Sequence, residues 1–152
     1  MNNSISQEPA GIARRLAAIF YDVFLLVAVV LVAASIFTIA AESFGGKHTS
    51  SKLLEEDGIK LIFQLYLLFV SGLFYIWFWR NGGQTLGLKV WKIRLVNEHF
   101  EPPGYQQCLV RLFFAVVTLL PAGIGLLWMF FNPRRETLYD RLSGTRLVKL
   151  SG

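Results

Sequence analysis

Two long runs of apolar residues dominate the first half of the chain. The first run extends from Leu16 to Ala41 and contains one charged residue, Asp22, and the second extends from Ile59 to Trp79 with only Lys60 charged. A helix needs about 20 apolar residues to cross a bilayer, whereas the apolar part of a signal peptide is only about 7–15 residues long. Because both runs reach spanning length, each predicts a full transmembrane helix.

A third apolar run, from Leu112 to Phe131, is broken in its middle by Pro121, Gly123 and Gly125. The residues before the break, 109–120, reach only about 18 Å as a helix and do not span a bilayer alone. Two topologies remain open. The segment is either re-entrant and returns to its starting side, or it is a proline-kinked helix that crosses completely.

The basic residues bear on this choice of topology. Short loops rich in Lys and Arg mark the cytoplasmic side, so Arg14 and Arg15 predict a cytoplasmic N-terminus in a multi-pass membrane protein. Three simple crossings would export a tail with five basic residues, which the same rule disfavours. These residues are Arg134, Arg135, Arg141, Arg146 and Lys149. The charge pattern therefore favours a third segment that returns, with both chain ends in the cytoplasm.

Two short segments beside the third run alternate in the manner of β-strands, residues 88–96 and residues 145–150. Short strands need a partner, so the two are expected to form a β pair on the cytoplasmic side. Between them, residues 132–144 predict a short interfacial helix that begins at Asn132 and ends at Gly144. The predicted fold class is mainly α, a polytopic membrane protein forming one domain over residues 1–152, with a flexible arm at residues 1–9.

Composition agrees with a membrane protein and excludes several other classes. The chain has 152 residues, of which 54% are hydrophobic, and its formal charge is +5. The basic residues lie at the edges of apolar runs rather than on a polar face, which argues against nucleic-acid binding. Cys108 is the single cysteine and only two histidines accompany it, so no metal site and no cofactor are predicted.

Enzymatic motifs are equally weak. The glycines of "GGQTLG", residues 82–87, lack the spacing of a phosphate-binding loop and predict a tight turn instead. Neither a Ser/His/Asp nor a Cys/His set suggests a nucleophile with its base. The chain is therefore predicted not to be an enzyme.

The candidate polar site consists of Arg15, Asp22 and Asp140 with Arg141. Arg15 and Asp22 are seven residues apart, which places both on one face of the first helix about 10 Å apart. A charge inside a membrane helix is costly and rarely lacks a role. Asp22 is interpreted either as a titratable carboxylate in a cation or proton path or as a packing residue paired with a basic side chain. Arg15 and Asp140 are expected to form a cluster with Arg141 or Arg135.

A second group of basic residues is predicted to contact anionic lipid or a protein partner. Each basic residue near an anionic leaflet contributes about 1 kcal/mol of binding. The group lies in the predicted first strand and in the tail, and comprises Lys89, Lys92, Arg94, Arg134 and Arg135.

Three motifs in order resemble the RDD family of bacterial membrane proteins, which is named for an arginine and two aspartates. "RLAAIFYD" matches the opening pattern and contains Arg15 and Asp22, "GQTLGLKVWKIRLV" resembles the middle pattern, and "TLYDRLSGTRLV" resembles the closing pattern with Asp140 as the second aspartate. The resemblance covers residues 10–149. Tyr139 departs from it, because a histidine is usual at this position in the family.

The resemblance implies two functions. Some members of the family are described as sodium/proton antiporters, and this chain would then exchange monovalent cations for protons with Asp22 as the carboxylate. Two or three spans do not enclose a path, so a transporter would form a homo-oligomer or join a partner membrane protein. The alternative is a non-transporting accessory or scaffold protein in which the Arg/Asp network is structural.

Overall fold

The computed structural model describes residues 5–45, 56–119, 128, 131 and 136–150. This part of the chain is mainly helical, and it divides into two compact units. The apolar unit is Val23–Phe74, and the sheet unit holds the residues up to Asp22 and from Tyr75 onward. The elements in chain order are β1 (Ile5–Pro9), α1 (Ile12–Gly45), α2 (Asp57–Arg80), α3 (Leu86–Val90), β2 (Ile93–Asn97), α4 (Tyr105–Leu119), α5 (Leu138–Ser143) and β3 (Thr145–Leu150).

The two long helices, α1 and α2, have the length and surface of transmembrane helices. Their most apolar stretches have mean hydropathies of 2.9 and 2.0, and only 6% of each is buried. A core helix of a soluble protein would bury such a surface, whereas here large side chains such as Leu31 and Phe69 are more than half exposed. Hydroxyl groups within α1 bond to their own helix, as Ser35 Oγ does to the carbonyl oxygen of Leu31 at 2.8 Å. The two helices predicted from the apolar runs are therefore present.

Aromatic contacts join α1 and α2 within the apolar unit. The ring centroid of Phe37 lies 5.1 Å from that of Phe63 and 5.3 Å from that of Tyr66. Offset or tilted aromatic pairs at such distances add about 0.5–1.5 kcal/mol beyond the burial of their area. These rings supply a specific contact between two helices whose remaining surface is apolar.

The sheet unit contains an antiparallel sheet of three strands in the order β1-β3-β2. Arg94 pairs with Val148 and Asn97 with Thr145, so β2 is paired with β3 along its full length. The inner face buries Ile93, Leu95 and Leu147 together with Ala18 of α1 and Trp79 of α2. The described strands include the two segments predicted to pair.

The first predicted strand is shorter than expected, because residues 86–90 form α3. Thr85 caps this helix and accepts a hydrogen bond from the backbone N–H of Leu88 at 3.3 Å. Gly87 and Leu88 are buried while Lys89 and Val90 are exposed, a pattern of one helical turn rather than of strand alternation. The strand begins only at Ile93, after Lys92 has reversed the chain with a φ of 51°.

The structure also differs from the flexible arm predicted for residues 1–9. Ile5 pairs with Leu150 and Pro9 with Val148, and the N–H of Ala10 donates to the carbonyl oxygen of Leu147 at 2.9 Å. The edge of β3 that faces away from β2 has backbone groups to satisfy, and β1 satisfies them.

The third membrane segment is described only as far as α4. One face of α4 carries the buried Cys108 and Arg111, and the other carries the exposed Leu109 and Phe113. The predicted break at Pro121, Gly123 and Gly125, together with Asn132, Arg134 and Arg135, lies outside the described residues. Within the predicted interfacial helix, α5 begins after its cap Thr137 and ends at Gly144, whose φ is 61°.

Candidate functional site

The arginine and two aspartates singled out in the sequence are all buried in the sheet unit. Arg15 is 2% exposed, Asp22 5% and Asp140 0%. Arg15 and Asp22 lie on α1, and Asp140 lies on α5. Since charged side chains are almost never fully buried unless they are paired, each of them must be held by specific partners.

Asp140 is held by two arginines and by its own helix. The Nη1 atoms of Arg15 and Arg111 lie 2.5 Å from Oδ2 and Oδ1 of Asp140, respectively. Oδ2 also accepts from the backbone N–H of Thr137 at 3.1 Å, while the Thr137 hydroxyl accepts from the N–H of Asp140 at 3.2 Å. This reciprocal arrangement is a capping box, which fixes α5 at its first turn.

Arg111 links several elements of the unit. Its guanidinium lies 5.3 Å from the ring centroid of Trp79 and 4.9 Å from that of Tyr139, and it donates to Oγ1 of Thr145 at 2.8 Å. Arg15 adds a bond from Nε to the carbonyl oxygen of Ala10 at 3.0 Å. The two arginines thus tie α1, α2, α4, α5 and β3 to one carboxylate.

The environment of Asp140 keeps its carboxyl group ionised. Burial alone raises the pKa, but the charges of Arg111 and Arg15, with the hydrogen bonds from Arg15 and Thr137, lower the pKa from 3.8 to about 2. Burial also raises the pKa of Tyr139. Asp140 is therefore a permanent anion at physiological pH, and the neutral Tyr139 ring packs on Arg111.

Asp22 is held by neutral groups of the turn that starts α3. Its Oδ2 accepts from the Thr85 hydroxyl at 2.5 Å, and its Oδ1 accepts from the backbone N–H of Gly87 at 2.9 Å. Each oxygen of the carboxylate thus accepts one hydrogen bond. One of the donors is a backbone N–H in the first turn of α3, a group that a helix leaves unpaired. Asp22 joins α1 to α3.

Gly87 permits this close approach. A methyl group added at Gly87 would collide with the backbone oxygen of Ala18 and lie 2.8 Å from Oδ1 of Asp22. Any larger residue would therefore push α3 away from α1. The glycine that the sequence assigns to a tight turn is required here for packing between the turn and the helix.

Asp22, Arg15 and Arg111 line one cavity of about 220 Å³. Its walls are otherwise mainly apolar or aromatic, contributed by Ile19, Tyr75, Trp79, Leu88, Leu112, Ala115, Val116, Tyr139 and Leu147. Asp140 binds both arginines, so the two arginines and the two aspartates together carry equal and opposite formal charges. A buried group of charges that balances in this way is compatible with a structural network.

Arg141 does not join the cluster as predicted. It is exposed and lines a second, polar cavity of about 270 Å³, to which Asp140, Glu98, Glu136 and Arg146 also contribute. Arg111, which comes from α4, is the residue that reaches the Asp140 carboxylate together with Arg15. Arg135, the other predicted partner, lies outside the described residues.

The predicted lipid or partner contacts occupy different environments. Lys89 and Lys92 are exposed, but Arg94 is half-buried and donates from Nε to the carbonyl oxygen of Gly82 at 2.8 Å. Arg134 and Arg135 are outside the described residues. Among the described residues, no group of three or more His, Cys, Asp or Glu side chains is arranged to hold a metal ion.

Sequence reasoning missed Arg111, Thr137 and the hydrogen bond between Thr85 and Asp22. Arg111 stands between Val110 and Leu112 at the start of an apolar run, a position where a charge needs a buried partner. Thr137 precedes Asp140 by three residues, which is the spacing of a capping box. Thr85 carries a weaker signal, because its role depends on α3, which the sequence does not separate from a strand.

Comparison with known proteins gives a match over most of the chain. The sequence model described as the RDD family matches residues 9–144. An uncharacterized protein of Rickettsia prowazekii (strain Madrid E) is 29% identical over 90 residues, which are 59% of this chain and 49% of that protein. The chain thus matches about half the length of this curated relative. No solved structure matches the chain.

Proposed function

We propose that this chain, which belongs to the RDD family, is a membrane protein with a non-transporting accessory or scaffold role. In this proposal the Arg/Asp network is structural. The observation that carries this proposal is the state of Asp22, whose two oxygens accept from Thr85 and Gly87. A carboxylate used in this way holds an element in place. No catalytic activity forms part of the proposal.

The environment of Asp140 differs from what an exchanging site needs, and both oxygens of Asp22 already accept hydrogen bonds. A group that takes up and releases protons near neutral pH requires a pKa in that range, whereas the two arginines hold the pKa of Asp140 at about 2. Asp22 would have to leave the Thr85 hydroxyl and the Gly87 N–H before it could bind a cation with those lone pairs. Both geometries favour a structural role for the network.

We expect Asp22→Asn to be tolerated better than Asp22→Ala. The amide oxygen of Asn can still accept from Gly87, and its amide nitrogen can donate to the Thr85 hydroxyl. Alanine leaves both groups without this partner, at about 1–3 kcal/mol for each unsatisfied group. Thermal unfolding of the purified variants in detergent would measure the difference, with Thr38→Ala as a control that removes a hydroxyl bonded within α1. An Asn variant as unstable as the Ala variant would contradict the proposal, since it would mean that the charge itself is needed.

A second candidate function is exchange of a monovalent cation for protons, and the shared cavity favours it. Asp22 lines this cavity together with Arg15 and Arg111, so a carboxylate borders a space large enough for small ligands. A carboxylate also retains about two further acceptor sites after two hydrogen bonds. The exchanging unit would be a homo-oligomer or a complex with a partner membrane protein, because two spans do not enclose a path.

We further propose that the protein is a multi-pass protein of the bacterial inner membrane with both chain ends in the cytoplasm. The pairing of β1 with β3 supports this orientation, because strands of one sheet lie on one side of a membrane. An even number of crossings must then separate residues 9 and 145. The basic residues Arg14 and Arg15 support the cytoplasmic side.

A reporter fusion tests this orientation. An enzyme that is active only in the periplasm should be inactive when it is fused after Gly152 and active when it is inserted within residues 46–55, between the two apolar helices. High activity at Gly152, in a fusion protein that accumulates normally, would place the C-terminus outside and rule out the proposed orientation.

A further inference from the structure

One turn of helix in the sheet unit exposes an unusual combination of side chains. Leu86 is 48% exposed, Val90 59% and Trp91 36%, and the side chains of Lys89 and Lys92 beside them are exposed as well. We refer to these five residues as the α3 surface. Scattered apolar residues are ordinary on a protein surface, but three large ones at positions 86, 90 and 91 form a patch that calls for an occupant.

The fold holds this surface in a fixed orientation. Gly87 and Leu88 on the inner side are buried, and Thr85 caps the helix while Asp22 binds Gly87. At the other end, the carbonyl oxygen of Lys92 accepts from the N–H of Leu150 at 2.8 Å, which anchors the exit from the turn to β3. The exposed apolar side chains are thus displayed by a rigid element.

The chemistry of the α3 surface matches the boundary between lipid and water. Tryptophan is enriched at this boundary, and lysine places its apolar stem along lipid while its ammonium reaches the headgroups. Residues 86–92 contain two lysines and no acidic residue, so the surface carries a charge of +2. Arg94 does not contribute, because it is half-buried and bonded to Gly82.

We propose that the α3 surface docks onto anionic phospholipid headgroups of the bilayer that α1 and α2 enter. The occupant is argued from charge complementarity and from the presence of this bilayer around the chain's own apolar helices. The leucine, valine and tryptophan side chains enter the upper acyl region, and the two ammonium groups contact phosphate. This docking does not depend on whether the Arg/Asp network is structural or takes part in transport.

The test uses the full chain in vesicles of brominated phosphatidylglycerol and brominated phosphatidylcholine. Val90→Cys carries a fluorophore that bromine quenches, and Leu142→Cys, on an exposed apolar position of α5, carries the same fluorophore as a control. Cys108 is fully buried, and labelling of the unsubstituted protein measures any contribution from it. The ratio of quenching by the two lipids gives the preference for the anionic lipid at each position.

We expect strong quenching at position 90, weak quenching at position 142, and a preference for phosphatidylglycerol at position 90. Lys89→Gln should lower this preference about fivefold, and adding Lys92→Gln should lower it again by about the same factor, whereas Arg141→Gln should leave it unchanged. All three side chains are exposed, so these variants should fold.

Four results would overturn the proposal. Quenching at position 90 as weak as that expected at position 142 would mean that the α3 surface does not meet lipid. If the preference for phosphatidylglycerol survives both lysine substitutions, the α3 surface meets lipid through its apolar side chains alone. Reversal of the preference by excess inorganic phosphate would identify a site for a free anion. Loss of quenching as the ratio of protein to lipid rises would identify a second copy of the chain as the occupant.

Discussion

Asp140→Asn is expected to lower the free energy of unfolding by about 3–5 kcal/mol, because removing one member of a buried ion pair leaves the remaining charge uncompensated. The variant deprives both Arg15 and Arg111 of their carboxylate, and these side chains are 2% and 4% exposed. Asparagine preserves the size of the residue and an acceptor for the Thr137 N–H. The loss of stability therefore measures the effect of removing the negative charge. Thermal unfolding in detergent and the amount of folded protein in membranes would measure it.

A double-mutant cycle separates this network from a general loss of packing. Arg15→Gln combined with Asp140→Asn should cost less than the sum of the two single substitutions, since the partners are in direct contact. Arg141→Gln, on an exposed side chain of the same helix as Asp140, should change stability by no more than about 0.5 kcal/mol. Strictly additive losses would show that Arg15 and Asp140 do not interact.

The same carboxylate predicts a dependence of stability on pH. The pKa of Asp140 is lowered from 3.8 to about 2 in the folded protein, so its contribution is complete above the unfolded value. That contribution should fall as the pH drops from about 4 to about 2, where the folded protein also binds the proton. The Asp140→Asn protein should lack this component of the acid sensitivity.

Gly87→Ala is the second substitution expected to have a large effect. The added methyl group would meet the backbone oxygen of Ala18, which cannot rotate away as a side chain can, and it would crowd Asp22. Overpacking of this kind costs about 1–3 kcal/mol, and losing the bond from Gly87 to a charged acceptor adds about 1.5–3 kcal/mol. Stability and the accessibility of Trp91 to an aqueous quencher would both report displacement of α3.

Gly58→Ala is the matched control for this substitution. Gly58 also lies in a helix, and a methyl group built there meets nothing within 4 Å. Both substitutions raise helix propensity by about 1 kcal/mol, so the difference between them isolates the contact with α1. Equal stability of the two variants would contradict the role of Gly87 as a close-packing position.

Much of this fold follows from patterns that a sequence displays directly. Apolar length predicts α1 and α2, and alternation predicts β3, because both properties depend on residues that are near one another in the chain. Gly144 ends α5 as expected, since the left-handed conformation at a helix end favours glycine. The family resemblance singles out Arg15, Asp22 and Asp140, and all three are buried in the sheet unit.

The remaining features depend on contacts between distant residues. Asp22 binds a backbone N–H 65 positions away, and no side-chain pattern in the sequence reveals a backbone donor. Arg111 rather than Arg141 reaches Asp140, because the choice depends on how α4 packs beside α5. The helix α3 has only five residues, too few for a helical period to be distinguished from strand alternation.

Proton flux in vesicles tests the central claim most directly. Purified protein would be reconstituted into sealed vesicles with an internal pH dye, and gradients of sodium or potassium would be applied. If the Arg/Asp network is structural, the wild-type protein should give no more flux than protein-free vesicles, and the folded Asp22→Asn protein should behave identically. Cation-dependent flux in the wild-type vesicles, abolished in a well-folded Asp22→Asn protein, would contradict the scaffold account and establish Asp22 as a transport carboxylate.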